Sequence, residues 1–312
     1  MTQQDAAILR QRKPLKRVRD PVWPSLASAL SAFGAAGLAV FFHGDDIRWL
    51  VGAQLLLLSW LALALARGYE AGLWFPRTPI SLSVSLFWLW LGVSLAWSRV
   101  PATSAINFWW VGTFALVFWC YTLSPARAQI ASYVSRLVLV GALALCAWAL
   151  LQVLVYAQPA RASFINIHSF AALLMLIAIA TAGHLVISCG RRRRALAAAL
   201  GAGLFLLFFT IALTRGRGTS LALWLAVAAF IALHVRRVPT RHLVLVGGLL
   251  AAAYAAANIL LLGGLGERLA SLVDPTTAAS PRLLIWRGAW DMVRDFPWWG
   301  IGLGTYYLAW PP

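Results

Sequence analysis

Nine long apolar runs constrain this chain more than any other feature of its sequence. Each run extends over 17 to 21 residues without Asp, Glu, Lys or Arg, and an α-helix needs about 20 apolar residues to cross the hydrocarbon core of a bilayer. Runs of this kind do not fit a membrane β-barrel, whose strands alternate over about ten residues. The sequence therefore predicts an all-α, polytopic membrane helical bundle with about nine transmembrane helices, at positions 24–42, 49–66, 79–97, 105–123, 137–157, 169–189, 195–214, 219–235 and 242–262.

The composition excludes most other classes of protein. Hydrophobic residues make up 62% of the chain and charged residues 11%, whereas soluble domains carry about 25% charged residues. A water-soluble globular protein, a disordered chain and a coiled coil are therefore excluded. Cys120, Cys146 and Cys189 each lie in an apolar run without a CxxC pair, which is typical of small buried hydrophobes. We expect no disulfide framework, no metal and no cofactor.

The basic residues predict an orientation in the membrane. The chain has 26 Lys and Arg against 9 acids; 17 of the basic residues lie on the N-terminal side of the predicted spans and nine on the opposite side. Because cytoplasmic loops are enriched in Lys and Arg, the N-terminus is expected in the cytoplasm and the C-terminus on the opposite, outer side, which is the periplasm if the protein is bacterial. The net charge of +17 is then explained by topology and by anionic membrane lipids, and nucleic acid is not an expected partner.

Three regions follow from this topology. Residues 1–23 form a basic cytoplasmic N-terminus, residues 24–262 the transmembrane domain, and residues 263–312 a periplasmic segment. The first apolar run is too long for an ordinary signal peptide, although cleavage after Ala35 or Ala36 stays an alternative.

Two arginines mark the turn between the seventh and eighth runs, in Leu213-Thr-Arg215-Gly216-Arg217-Gly218-Thr219-Ser220. The guanidinium group offers a rigid fork of donors that matches phosphate oxygens, and the next helix begins with unsatisfied N–H groups and a positive dipole end. The pattern predicts an anion site at the outer face. The alternative is a turn whose arginines bind ordinary lipid phosphates.

The periplasmic segment contains a predicted amphipathic helix. Ser280 is a suitable cap and Pro281 a first-turn residue, and the helix should stop by Phe296, the residue before Pro297. The helix carries Arg282 and has an apolar face suited to the membrane interface. The following Gly300-Ile-Gly302-Leu-Gly304 predicts a tight turn rather than a dinucleotide site, because neither a strand nor a downstream acid accompanies it.

One further pair of polar residues lies at the outer mouth of the sixth run. Asn166 and His168, in Phe164-Ile-Asn-Ile-His-Ser-Phe-Ala171, are possible supporting residues of the anion site. A lone histidine at the interface is also compatible with a structural role.

Together these stretches resemble the O-antigen ligase and O-antigen polymerase superfamily. The likeness extends from Ser163 to Tyr307 and includes the arginine turn, the Asn166 stretch and Arg282-(x3)-Trp-(x2)-Ala-(x5)-Asp-Phe-Pro-(x2)-Gly-Ile-Gly-Leu-Gly304. The resemblance implies a membrane glycosyltransferase that moves a glycan from an undecaprenyl-pyrophosphate donor to a lipid A-core or other acceptor at the periplasmic face. It assigns Arg217 and Arg282 to the donor pyrophosphate, and the residue chemistry adds Arg215 as a supporting residue.

The resemblance also predicts a departure from the family. Relatives continue past the glycine-rich turn into an outer loop that holds a histidine, and this chain ends at Pro312 before that residue would occur. We therefore expect a C-terminally truncated member whose catalytic group is unknown and whose activity is uncertain.

Other functions stay open at this stage. An O-antigen polymerase of the same superfamily would use the same donor site. A transporter or flippase of lipid-linked cargo would need charged groups near the bilayer midplane, which the runs lack. A non-catalytic partner in envelope assembly is the remaining alternative.

Overall fold

The structure is a computed structural model that describes residues 27–28, 30–35, 47–70, 78–124, 127–164, 166–261 and 280–306 of the 312-residue chain. Every regular element in these ranges is helical. The α-helices are α1 Ile47–Glu70, α2 Pro79–Val93, α3 Pro101–Leu123, α4 Arg127–Leu154, α5 Ile167–Gly190, α6 Arg194–Leu213, α7 Arg217–His234, α8 Thr240–Leu260 and α9 Ser280–Asp295, with a 3-10 turn Ser94–Trp97 after α2.

The predicted fold class is confirmed: the described part of the chain is all-α and rich in membrane-spanning helices. Seven helices, α2 to α8, are long and apolar enough to cross a bilayer, with α2 counted together with the turn that follows it. The second predicted run lies within α1, whose apolar part is Val51–Ala66. The first run falls mostly outside the described residues, so the structure supports seven spans and does not confirm the number nine.

Helix α4 differs most from its predicted span of 137–157. It begins ten residues earlier, so Arg127 and Arg136, expected in a loop, lie in the helix itself. A run of apolar residues marks only the part of a helix that crosses hydrocarbon, and a helix continues into the interface wherever its backbone groups bond within it. The helix ends at Leu154 rather than at Ala157, which has a positive φ of 50° and cannot continue a right-handed helix.

Helix α6 is the centre of the larger core. It packs against α4, α5, α7 and α8, and its Leu204, Leu207, Phe208 and Ile211 are completely buried. Facing helix α5 presents small side chains that let the backbones approach closely, as is usual between helices in a bilayer. These small buried residues are Ala171, Ala178 and Ala182.

Helices α1 and α3 form a smaller unit beside this core. Two side chains of α1 bridge to α3: Gln54 Nε2 donates to Thr113 Oγ1 at 3.3 Å, and Trp60 Nε1 donates to Ser124 Oγ at 3.2 Å. Polar groups within a bilayer must find partners inside the protein, so these bonds fix α1 against α3.

Alternating spans place three connections on one face of the bundle. These are residues 98–100 between α2 and α3, residues 155–166 between α4 and α5, and residues 214–216 between α6 and α7. We call this the outer face, following the orientation expected from the basic residues. The connections at 191–193 and 235–239 lie on the opposite, inner face.

A buried glutamine holds the longest outer connection. Gln152 Nε2 donates to the Ala162 carbonyl at 2.7 Å, and Gln152 Oε1 accepts from the backbone N–H groups of Ala162 at 2.8 Å and Arg161 at 3.1 Å. The amide thus satisfies three backbone groups of a segment that has a positive φ at Ala162. The connection leads directly into α5, so Gln152 fixes where α5 begins.

Replacement of Gln152 tests whether its side chain holds the connection between α4 and α5, an interaction that we call the glutamine clamp. We expect Gln152→Ala to destabilise the protein by about 2–3 kcal/mol, because it leaves buried backbone groups without partners. The midpoint of thermal unfolding in detergent should fall by several degrees. The matched control is Gln158→Ala, which removes an exposed side chain of the same type. Equal midpoints for the two variants would contradict the clamp.

Thiol labelling tests which face is outside. In spheroplasts with a membrane-impermeant maleimide, Gln158→Cys on the outer face is expected to react at once. Arg237→Cys on the inner face should react only after permeabilisation, because the side with more Lys and Arg is cytoplasmic. The reverse pattern would invert the orientation.

Candidate functional site

The turn between α6 and α7 presents its two arginines at the outer face. Arg215 adopts a left-handed conformation with φ 52°, and Gly216 is the N-cap of α7, which begins at Arg217. The turn is fixed on both sides: Thr214 Oγ1 donates to the Ile211 carbonyl at 2.7 Å, and the Ser220 N–H donates to the Gly216 carbonyl at 2.8 Å. A left-handed conformation is uncommon for a residue with a side chain and is found at binding sites more often than elsewhere.

Helix α5 begins beside this turn. Asn166 is its N-cap, and its side-chain oxygen accepts from the His168 N–H at 2.8 Å. A Cβ placed on Gly216 would lie 3.2 Å from His168 Nδ1 and 3.0 Å from Thr219 Oγ1. The imidazole therefore lies directly against Gly216, and the absence of a side chain at that position makes room for it.

This neighbourhood is strongly positive. The N-terminal ends of α5 and α7 both open onto the outer face, and each contributes the positive end of a helix dipole. Arg215 and Arg217 are half-buried and His168 is exposed. The sequence between Glu70 and Glu267 contains no Asp or Glu, so no carboxylate of α2 to α8 neutralises this charge.

Helix α9 has the predicted length and character. It begins at Ser280, the residue predicted as its cap, and ends at Asp295, just before Phe296. Arg282 lies in its first turn. The apolar side chains Trp286, Trp290 and Val293 are 55–67% exposed, so the part of the chain that the structure describes does not cover them. This is the arrangement of a helix that rests on a membrane surface.

After α9, the glycine-rich turn docks on the corner between α2 and α3, which we define as residues 97–107. Gly300, Gly302 and Gly304 all have positive φ values, of 65°, 111° and 72°, as the predicted tight turn requires. The Arg99 N–H donates to the Ile301 carbonyl at 3.2 Å, and Ser104 Oγ donates to the Leu303 carbonyl at 2.8 Å.

Aromatic contacts reinforce this docking. Trp97 Nε1 donates to the Trp299 carbonyl at 2.7 Å, and the Trp299 ring packs against Trp90 at 5.9 Å and Trp97 at 5.2 Å between ring centres. The Arg99 guanidinium lies 4.6 Å from the centre of the Phe296 ring, within the range of a cation–π contact. The end of α9 is thus attached to the bundle by both backbone and side-chain contacts.

The described contacts form two assemblies on the outer face. One joins the arginine turn to Asn166 and His168 at the start of α5. The other joins α9 and the glycine-rich turn to the corner. Arg215 and Arg217 belong to the first assembly, and the helix that carries Arg282 belongs to the second.

Other features lie apart from these assemblies. A cavity of about 740 Å³ between α1, α3, α4 and α5 is lined mainly by apolar residues, and its residues Ile130, Ser135 and His184 lie towards the inner face. Within the described ranges no three His, Cys, Asp or Glu side chains are arranged to hold a metal ion. Cys120 and Cys146 are fully buried among apolar side chains.

Sequence reasoning missed the corner and the glutamine clamp. Gln152, Ser98, Ser104 and Asn107 are polar residues within or beside apolar runs. Gln152 bonds to a loop nine and ten residues away, whereas the glycine-rich turn that contacts Ser98, Ser104 and Asn107 is about two hundred residues away. The polar residues themselves were the only available signal, since a buried polar group needs a partner. Their spacing in the sequence does not indicate which residue each of them contacts.

The comparison with known families identifies the same region. A family model described as O-antigen ligase matches residues 202–312, which include the arginine turn, α9 and the glycine-rich turn but neither Asn166, His168 nor the corner. No curated protein and no solved structure matches the chain. Over residues 202–312 the chain is therefore similar to the O-antigen ligase family, the resemblance that its motifs predict.

Proposed function

We propose that this protein is an O-antigen ligase-like membrane glycosyltransferase. It moves a glycan from an undecaprenyl-pyrophosphate donor to a lipid A-core or other acceptor at the periplasmic face of the bacterial inner membrane. The observation that carries the proposal is the arginine turn at the start of α7, which lies inside the family match in a part of the chain without carboxylates.

The donor diphosphate is the natural counter-ion of this turn. A diphosphate offers several charged oxygens to guanidinium forks and helix N–H groups. Arg217 and Arg282 bind it, and Arg215 supports them. Arg215 and Arg217 lie in a stretch of the chain, between Glu70 and Glu267, that contains no Asp or Glu, and the positive charge of this turn attracts an anion that approaches the outer face.

The reaction requires stabilisation of a leaving group. A hydroxyl of the acceptor attacks the anomeric carbon of the glycan, a new carbon–oxygen bond forms, and the bond between that carbon and the phosphate oxygen breaks. The electron pair leaves with the polyprenyl diphosphate, whose additional charge the arginines stabilise. The hydroxyl proton passes to a base or to water.

His168 and Asn166 are supporting residues in this scheme. His168 is exposed and lies against Gly216, so its imidazole reaches the same space as a phosphate bound at the α7 N-terminus. Asn166 caps α5 and thereby holds His168 in place. The catalytic base itself stays unassigned.

The polymerase alternative uses the same donor site with a lipid-linked glycan as acceptor, and the described residues favour neither acceptor. Coupled transport is not favoured, because helices α2 to α8 contain no Asp or Glu and carry no carboxylate for an ion or proton relay.

Substitution of the two arginines tests the donor site. We expect Arg217→Ala and Arg282→Ala each to lower kcat/KM for glycan transfer by about 100-fold or more, since each removes a charged donor from a developing anion. Transfer is measured in membranes supplied with a polyprenyl-diphosphate-linked glycan and an acceptor.

Two other arginines near the proposed site serve as matched controls. Arg161→Ala changes an exposed arginine of the outer face, and Arg294→Ala changes an exposed arginine at the other end of α9; both should retain transfer. If both Ala variants at 217 and 282 transfer glycan like the original protein, the proposed donor site is wrong.

Two neighbouring glycines test the role of His168. Gly216→Ala places a methyl group against the imidazole and Thr219, and we expect about a tenfold loss of transfer, because small displacements of positioned groups are costly. Gly218→Ala is the control, since its Cβ would meet nothing within 4 Å. Equal activity in the two variants would remove His168 from the site.

A further inference from the structure

We propose that the corner between α2 and α3 positions Arg282 for the donor, with Ser98 and Ser104 as the positioning residues and Asn107 as the side chain that requires a glycine at position 304. This inference rests on the proposed function. The corner lies almost a hundred residues before the first residue of the family match at 202, so nothing in that match assigns it a role. The proposal is based on the contacts between the corner and residues 296–306.

The glycine-rich turn fits closely against the corner. A Cβ on Gly302 would overlap Ser98 and approach Ser104, and a Cβ on Gly304 would overlap the side-chain amide of Asn107. The three corner side chains therefore form a surface that accepts the turn only where it has no side chain. Ser98 Oγ lies 2.7 Å from Ser104 Oγ and donates to it, because the Ser104 hydroxyl hydrogen goes to the Leu303 carbonyl; this bond keeps the surface fixed.

Hydrogen bonds attach the turn to the corner and close the turn itself. Ser104 Oγ of the corner donates to the Leu303 carbonyl at 2.8 Å. Within the turn, Thr305 Oγ1 donates to the Gly302 carbonyl at 2.8 Å. Thr305 is almost completely buried, with 1% of its surface exposed, so the docked turn is part of the packed protein rather than a loose end.

A hydrogen bond connects the turn to the part of α9 that carries Arg282. Tyr306 follows the turn, and its hydroxyl donates to the Ile285 carbonyl at 2.6 Å. Ile285 lies three residues after Arg282, so this bond holds the same part of α9 that carries the arginine. A 16-residue helix is a rod of about 24 Å. With its end attached near Phe296 and its start held through Tyr306, its orientation on the bundle is set.

The apolar face of α9 explains why the helix needs an attachment to the bundle. Trp286 and Trp290 are 67% and 64% exposed and favour the membrane interface, but a helix held only by lipid is not fixed relative to α7. The corner supplies the attachment to the bundle, so that Arg282 and the arginine turn are held at defined positions when the diphosphate binds.

Two glycines of the turn provide the test. Gly300 and Gly304 have similar positive φ values, of 65° and 72°, so an alanine is similarly strained at either position. A Cβ at Gly300 meets nothing within 4 Å, whereas one at Gly304 meets Asn107. The probe is undecaprenyl diphosphate, and its Kd is measured with the full chain in detergent micelles.

Gly304→Ala is expected to raise this Kd by about tenfold or more, as misplacement of a binding group does, while Gly300→Ala raises it much less. In the double variant Gly304→Ala with Asn107→Ala, the amide that obstructs the new methyl group is absent, and most of the affinity should return. Equal Kd values for the two single variants, or no recovery in the double variant, would overturn the proposal.

A milder variant covers the case in which Gly304→Ala does not accumulate in membranes. Tyr306→Phe removes only one hydroxyl, and we expect the Kd to rise about fivefold, the effect of one lost hydrogen bond. An unchanged Kd would overturn the proposal. Arg217→Ala and Arg282→Ala are measured alongside. If the two arginine variants also leave the Kd unchanged, the proposed donor site is wrong. If the arginine variants raise the Kd but the corner variants do not, only the role of the corner is rejected.

Discussion

Between Glu70 and Glu267 the chain has no carboxylate, and this absence governs where its arginines can lie. Removal of an arginine from water without a counter-charge is very costly. Apart from Arg136 in the third turn of α4, the arginines that the structure describes in this part of the chain lie in connections or at helix ends, where water, lipid phosphates or another anion can meet them. Helices α2 to α8 are correspondingly built from apolar and small residues, and α6 is buried among its neighbours without any ionic contact from Asp or Glu.

The same constraint gives the outer face its chemistry. Arg215 and Arg217 lie at the N-terminus of α7, Gly216 makes room for His168, and the N-terminus of α5 opens beside them. Positive charge is concentrated there with no acid from α2 to α8 to offset it. A site of this kind favours an anion with several oxygens over a neutral ligand. A lipid-linked diphosphate combines such an anion with a hydrocarbon tail that the membrane already holds.

The sequence predicted the parts of this account that depend on local patterns. The apolar runs predicted all-α spans, Pro297 predicted the end of α9, and the spaced glycines predicted a turn with positive φ. It did not predict contacts between distant segments. Asn107 and Gly304 are almost two hundred residues apart, and His168 and Gly216 are separated by α5 and α6. Such contacts depend on how helices pack, and an apolar run does not encode which helix it will face. The early start of α4 was missed for a related reason, since amphipathic turns in the interface lack an apolar signature.

The central claim is that the outer-face arginines bind the diphosphate of a lipid-linked glycan donor. An experimental structure of the protein in lipid nanodiscs with undecaprenyl diphosphate tests it most directly. We expect a diphosphate at the N-terminus of α7, within hydrogen-bond distance of the guanidinium groups of Arg217 and Arg282. A diphosphate bound elsewhere on the protein, with neither arginine in contact, would contradict it.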